Sequence, residues 1–193
     1  INGQAADLSV DIGIGSAVAF QTYNTADWHV SAGNLLASPR CVHTGGTSPQ
    51  TTTTGTSKTA AASTKTYVAE LVNPVTTLVT GIAIFNAATV GTDKYMAYIT
   101  DAAGVVVATT ALAGVTTSGA AAHQLIPLTA VKTLVPGTYF ICLQVNGTTD
   151  TFRAHAAGSF ATIEISSTVF GTAGAITPPT TFVAGVRPIA SLY

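Results

Sequence analysis

Lys94-Tyr95-Met96-Ala97-Tyr98-Ile99-Thr100, then Asp101-Ala102-Ala103-Gly104, then Val105-Val106-Val107-Ala108-Thr109-Thr110 is the stretch that decides the fold class. Both outer runs are rich in β-branched and aromatic residues, which favour the pleated, half-buried surface of a strand. Asp at the first position and Gly at the fourth favour a type I turn between them. The stretch therefore predicts an antiparallel hairpin.

The same grammar extends in both directions. Upstream, Tyr67-Val68-Ala69-Glu70-Leu71-Val72 predicts a strand that stops at Asn73-Pro74, where proline removes a ladder donor. Leu78 to Asn86 places Ile82 and Ile84 on one face and Ala83 and Phe85 on the other, a strand covered on both sides. Downstream, Gly114 to Ala122 is a small-residue loop and Leu125-Ile126-Pro127-Leu128 a short edge segment. Pro136-Gly137 opens a strand from Thr138 to Val145, with Tyr139, Ile141, Leu143 and Val145 on one face. Asn146-Gly147, a strong two-residue hairpin signal, predicts a return through Thr151 to His155. No segment combines a sustained 3.6-residue period with helix caps. The expectation is an all-β chain, an antiparallel, jelly-roll-like β-sandwich.

The flanks have another texture. Residues 1–64 read as an extended arm ending in low complexity, with Thr51 to Thr54 followed by Gly55 to Thr64. Within it, Phe20, Trp28 and Val30 are candidate anchors on another surface, since large apolar side chains with few rotors suit interfaces; the alternative is that Trp28 packs on its own domain. Residues 65–193 form the sandwich and a tail. That tail ends on Ile189, Leu192 and Tyr193, too apolar for a free terminus, so it is expected to be tied down or to grip a neighbour.

Composition narrows the function. Only 8% of the 193 residues are charged, against about 25% in an average protein. Net charge is −1, and the seven Lys and Arg are dispersed, so no basic stripe is available for nucleic acid. Mean hydropathy is +0.46, yet every apolar run is soon broken by Thr, Ser, Gly, Asn or Asp. A spanning helix needs about 20 apolar residues, so no membrane partner is expected. A basic start with an apolar block is absent from Ile1-Asn2-Gly3-Gln4. A surface so poor in charge suits a subunit covered by its neighbours better than a freely diffusing enzyme.

No catalytic constellation emerges. Asp101 and Asp150 sit in turn sequences, where a carboxylate caps its own backbone. His29, His43, His123 and His155 are scattered without zinc-type spacing, and Gly-x-Ser-x-Gly is absent. His155 beside Arg153 reads as a solvated polar face. Cys41 and Cys142 form no framework; two free thiols are expected, Cys142 as a buried hydrophobe. No catalytic residue, metal or cofactor is expected, and the chain is not read as an enzyme.

Several pieces together suggest a family. They are Thr80-Gly81-Ile82-Ala83-Ile84-Phe85-Asn86, Val90-Gly91-Thr92-Asp93-Lys94-Tyr95, Tyr98 to Gly104, Ala111-Leu112-Ala113-Gly114, Gly137-Thr138-Tyr139-Phe140, Asn146-Gly147-Thr148-Thr149 and Ile176 to Phe182. In texture and order, roughly residues 66 to 193 resemble small β-sandwich structural proteins of tailed-phage and prophage virions. The resemblance implies a virion location, with assembly in the host cytoplasm. The first expected role is a capsid decoration (cement) protein, forming a homotrimer and contacting the major capsid protein or other virion subunits. The alternative is a tail-fibre or baseplate host-recognition module, binding glycans through exposed Tyr95, Tyr98 or Phe152.

Overall fold

A computed structural model of the chain describes residues 42–43, 56–60, 63–73, 75–155, 162–181, 183 and 185–193. Among these lie twelve strands and no helix. They are β1 (Val42–His43), β2 (Thr56–Thr59), β3 (Thr66–Asn73), β4 (Thr77–Phe85), β5 (Lys94–Asp101), β6 (Val106–Thr109), β7 (Val115–Thr116), β8 (His123–Leu134), β9 (Gly137–Val145), β10 (Thr151–Ala154), β11 (Thr162–Ile165) and β12 (Ala190–Leu192). The chain is all-β, and every pairing is antiparallel.

The strands form a sandwich. One sheet has the order β1-β12-β4-β8, the other β11-β3-β9-β5-β6 with β7 also on β5; β2 and β10 make a separate ribbon. Successive long strands alternate between the sheets, and β9 returns between β3 and β5, which wraps the chain in a jelly-roll-like way. Period-two alternation explains the core. Tyr139, Ile141, Leu143 and Val145 of β9 all point inward, meeting Ile82 and Ile84 of β4 and Ile126 of β8.

The hairpin at 94–110 forms as read. Gly104 N donates to the Asp101 carbonyl at 2.9 Å, and Asp101 Oδ1 accepts from the amides of Ala103 and Val105, both at 2.9 Å. Gly104 takes φ +82°, and a Cβ there would lie 2.0 Å from the Ile176 carbonyl oxygen. Glycine is required for both reasons.

Two expectations need correction. Asn146-Gly147 does not make a hairpin: β9 pairs with β3 and β5, while β10 pairs with β2. Leu125–Leu128 is part of a twelve-residue strand, because β8 continues past Pro127 through a large bulge. There, the step from Val79 to Gly81 on β4 corresponds to the step from Lys132 to Pro127 on β8. The bulge bridges the two sheets, with Leu128 opposite Thr110 and the Thr129 hydroxyl donating to the Thr109 carbonyl at 3.0 Å. Upstream of residue 65, the described residues join the fold. β1 adds to the sheet edge beside β12, β2 pairs with β10, and Ala60 is buried in the core.

The segment after β11 has no regular structure but forms a strap. Phe170, Ala173 and Ile176 pack on Val68, Met96, Tyr98, Phe140 and Cys142, the outward face of the larger sheet. Gln144 holds it there: its amide nitrogen donates to the Thr172 carbonyl at 3.0 Å, and its oxygen accepts from Gly171 N at 3.0 Å. The larger sheet is thereby covered on both faces.

Candidate interaction surface

Strand registers define two ends of the sandwich. At one end stand the loops before β5 and after β9; at the other β3 ends, β4 begins, β5 ends, β8 ends and β9 begins. The two ends differ in chemistry.

The first end is polar, and its two loop carboxylates are hydrogen-bonded within the chain. Asp93 Oδ2 accepts from the amides of Thr149 and Asp150, both at 2.8 Å. Asp150 Oδ2 in turn accepts from Gly91 N and Asp93 N, both at 3.0 Å, and from the Thr117 hydroxyl, while Oδ1 accepts from the Thr92 hydroxyl at 2.8 Å. Each carboxylate thus caps the other's loop, where a turn aspartate had been expected to cap its own. Burial by itself would raise the Asp150 carboxyl, but hydrogen bonds from Thr117, Asp93, Thr92 and Gly91 outweigh it and hold the group below its usual range. A general acid needs the opposite displacement. The pair is a clamp between loops. Among the described residues, no group of three or more His, Cys, Asp or Glu is placed to hold a metal ion. No helix among them is long and apolar enough to cross a membrane.

The second end is apolar. Val72, Val75, Leu78, Val105, Val131 and Val135 are all exposed, Leu78 at 63% and Val135 at 60%. Sheet spacing places them near one another: Val72 pairs with Thr138 of β9, Asp101 pairs with Tyr139, and adjacent strands lie about 4.8 Å apart. Leu78 and Val131 come from the opposing sheet, about 10 Å away. Asn73 ties the β8–β9 turn to this end by donating to the Val135 carbonyl at 2.9 Å. The nearby charges are Lys132 and Asp101, and Asp101 is engaged in its turn. Beside this end, a groove of about 460 Å³ separates Val106–Thr109 of β6 from Thr129–Lys132 of β8. Single exposed aliphatics are ordinary, but six at one end are a surface.

The expected site residues redistribute accordingly. Tyr95, Tyr98 and Phe152 are not exposed glycan contacts: they are 0%, 2% and 0% accessible. Tyr95 and Phe152 lie between the sheets, and Tyr98 lies under the strap, because inward and strap-facing positions were the ones their alternation served. Ile189 and Leu192 are buried within the chain's own fold, and β12 pairs with β4. Tyr193, half-buried, accepts from Thr80 N at 2.6 Å and Gly81 N at 3.1 Å through its carbonyl, with its ring over Gly81. They grip the chain itself. His155 is buried rather than solvated. Cys142 is a buried free thiol whose pKa burial pushes up to about 12. Phe20, Trp28, Val30 and Cys41 lie outside the described residues.

The apolar end was missed because its members come from six separate places in strands and turns, each contributing an isolated valine or leucine. The legible hint was Leu78 and Val131 beside polar neighbours in their strands, with Val135 in the turn that follows. Comparison with protein-family models, with curated proteins and with solved structures gives no match.

Proposed function

We propose that this chain is a non-enzymatic virion structural protein, a capsid decoration (cement) subunit that stabilises a phage head. The observation that carries the reading is the contrast between the two ends. One end is polar, with its loops clamped together through Asp93 and Asp150, as suits a solvent-facing tip. The other is apolar and nearly uncharged, as suits a surface held against neighbours. The low charge of the whole chain and the resemblance of residues 66 to 193 to phage sandwich proteins support it. On this reading the partners are the major capsid protein and further copies, as a trimer at local symmetry axes, in particles assembled in the host cytoplasm. The glycan-binding alternative loses its three named aromatics to the interior.

The experiment adds purified protein to capsids lacking decoration. Co-sedimentation at saturable stoichiometry, with higher thermal resistance of the particle, is the expected result. Failure to bind, with imaging that places the subunit elsewhere, overturns the reading.

A further inference from the structure

The described residues include three asparagines, Asn73, Asn86 and Asn146, and their surroundings differ in what the side-chain amide can do. An asparagine loses its amide when the main-chain nitrogen of the next residue attacks its side-chain carbonyl carbon. That reaction needs a following N–H that is present, free and unhindered. Asn73 precedes Pro74, which has no N–H. Asn86 is buried, and the amide after it is occupied, since Ala87 N donates to the Thr151 carbonyl at 3.0 Å. Asn146 differs in each respect. It is exposed just beyond β9, and Gly147 has no Cβ to obstruct the attack. Gly147 N donates to none of the described residues.

The fold also prepares the carbonyl. Lys94 N donates to Asn146 Oδ1 at 2.6 Å, while Asn146 N donates to the Lys94 carbonyl at 3.1 Å. Negative charge gathers on Oδ1 as a nitrogen adds to Cγ, and an N–H already aimed at that oxygen stabilises it. Asn86 Oδ1, by contrast, is buried without a hydrogen-bond partner. The fold holds glycine at 147 for its own reason, because Asp93 Oδ1 stands where a Cβ would lie.

We propose that Asn146-Gly147 is a self-modification site of the folded protein, converting Asn146 to aspartyl and isoaspartyl forms and so releasing the Asp93–Asp150 clamp. Solvent base takes the proton from Gly147 N, and this nitrogen bonds to Asn146 Cγ. The Cγ–Nδ2 bond then breaks and Nδ2 leaves as ammonia, closing a cyclic imide. Water opens one of the imide's two ring C–N bonds. Opening at Cγ leaves an aspartyl side chain, whereas opening at the main-chain carbonyl leaves an isoaspartyl link that runs through Cγ. The sum is one water consumed and one ammonia released, so solvent is the sole co-reactant. Either product adds one negative charge to a chain whose formal charge is −1. The isoaspartyl form also lengthens the main chain by a methylene between β9 and the loop. That displaces the amides of Thr149 and Asp150 from Asp93 Oδ2. The site is independent of the virion reading, and either can fail alone.

In the test, folded protein is held at mildly alkaline pH below its unfolding temperature. The urea-unfolded chain and a synthetic peptide of residues 145–150 run beside it. Peptide mapping by mass spectrometry follows each asparagine separately and keeps Asn146 apart from the other Asn-Gly pair, Asn2-Gly3. Asn146 in the folded protein should convert within roughly tenfold of the peptide's rate, with Asn73 and Asn86 intact. A folded rate further below the peptide's than that overturns the site. Asn146→Gln, whose longer side chain disfavours ring closure, should lose the product. Hydrogen exchange at the Thr149 and Asp150 amides should rise several-fold in the isoaspartyl fraction over Asn146→Asp, which carries the charge without the added methylene. Equal exchange in the two overturns the release of the clamp.

Discussion

Gly147 and Asp150 show how one short run can be read correctly as a turn and wrongly as a hairpin. Gly147 is needed because Asp93 approaches it: a Cβ would lie 2.0 Å from Asp93 Oδ1. Gly147→Ala should therefore destabilise by about 1–3 kcal/mol, the usual range for overpacking, measured by urea denaturation. Asp150→Ala would strand several buried donors and should cost ~3 kcal/mol or more. Tyr95 presents the reverse case. Its hydroxyl is buried without a hydrogen-bond partner, so Tyr95→Phe should leave stability unchanged or raise it by up to ~1 kcal/mol. A loss above 1 kcal/mol would show that the hydroxyl is bonded. His123 gives the pH dependence. It stacks on Phe85 with centroids 4.5 Å apart, and burial pushes its pKa down to about 4, from about 6.5 in the unfolded chain. The unfolded state binds the extra proton between those values, so stability is fully present above pH ~6.5 and falls towards pH ~4. The loss is of order 3 kcal/mol, and His123→Phe should flatten that part of the denaturation-midpoint profile.

At the scale of elements, the hairpin at 94–110 and the strands β3, β4 and β9 were legible, because period-two alternation and turn residues are local signals. Pairing was not. β9 and β10 are separated by a strong turn sequence, yet the loop after Val145 is engaged by Lys94, whose amide donates to Asn146 Oδ1 at 2.6 Å. β8 looked short because the bulge interrupts its alternation, and a bulge is stabilised by contacts with β6 rather than by its own sequence. The strap was invisible for the same reason: it has no period, and its energy comes from Phe170 and Ile176 on a sheet face. Gln144→Ala should detach it locally, raising hydrogen exchange at Gly171 with a smaller effect on β9. Equal deprotection of both would place the strap and sheet in a single opening unit. Removing Leu192 and Tyr193 should destabilise by about 2–4 kcal/mol through lost burial and lost edge pairing, read from the urea midpoint.

For the whole molecule, composition and local pattern indicated a chain poor in charge, with no legible catalytic motif and an all-β fold. Those features depend on residue identity and near-neighbour spacing, which a linear chain carries in full. Which aromatics were inside, which termini folded back and which end was apolar depended on how sheets stack. Tyr95 and Phe152 could have faced either side until register turned them between the sheets, because one residue of shift exchanges the two faces of a strand, while Tyr98, on the opposite face of β5 from Tyr95, is buried by the strap. Val72, Leu78, Val131 and Val135 are far apart in sequence and became a surface only when antiparallel pairing brought their strand ends together. The sequence by itself determined the alternation, the turns and the sparse charge. Tertiary structure decided the register, the strap and the contrast between the two ends, because those rest on contacts between residues that no local pattern relates.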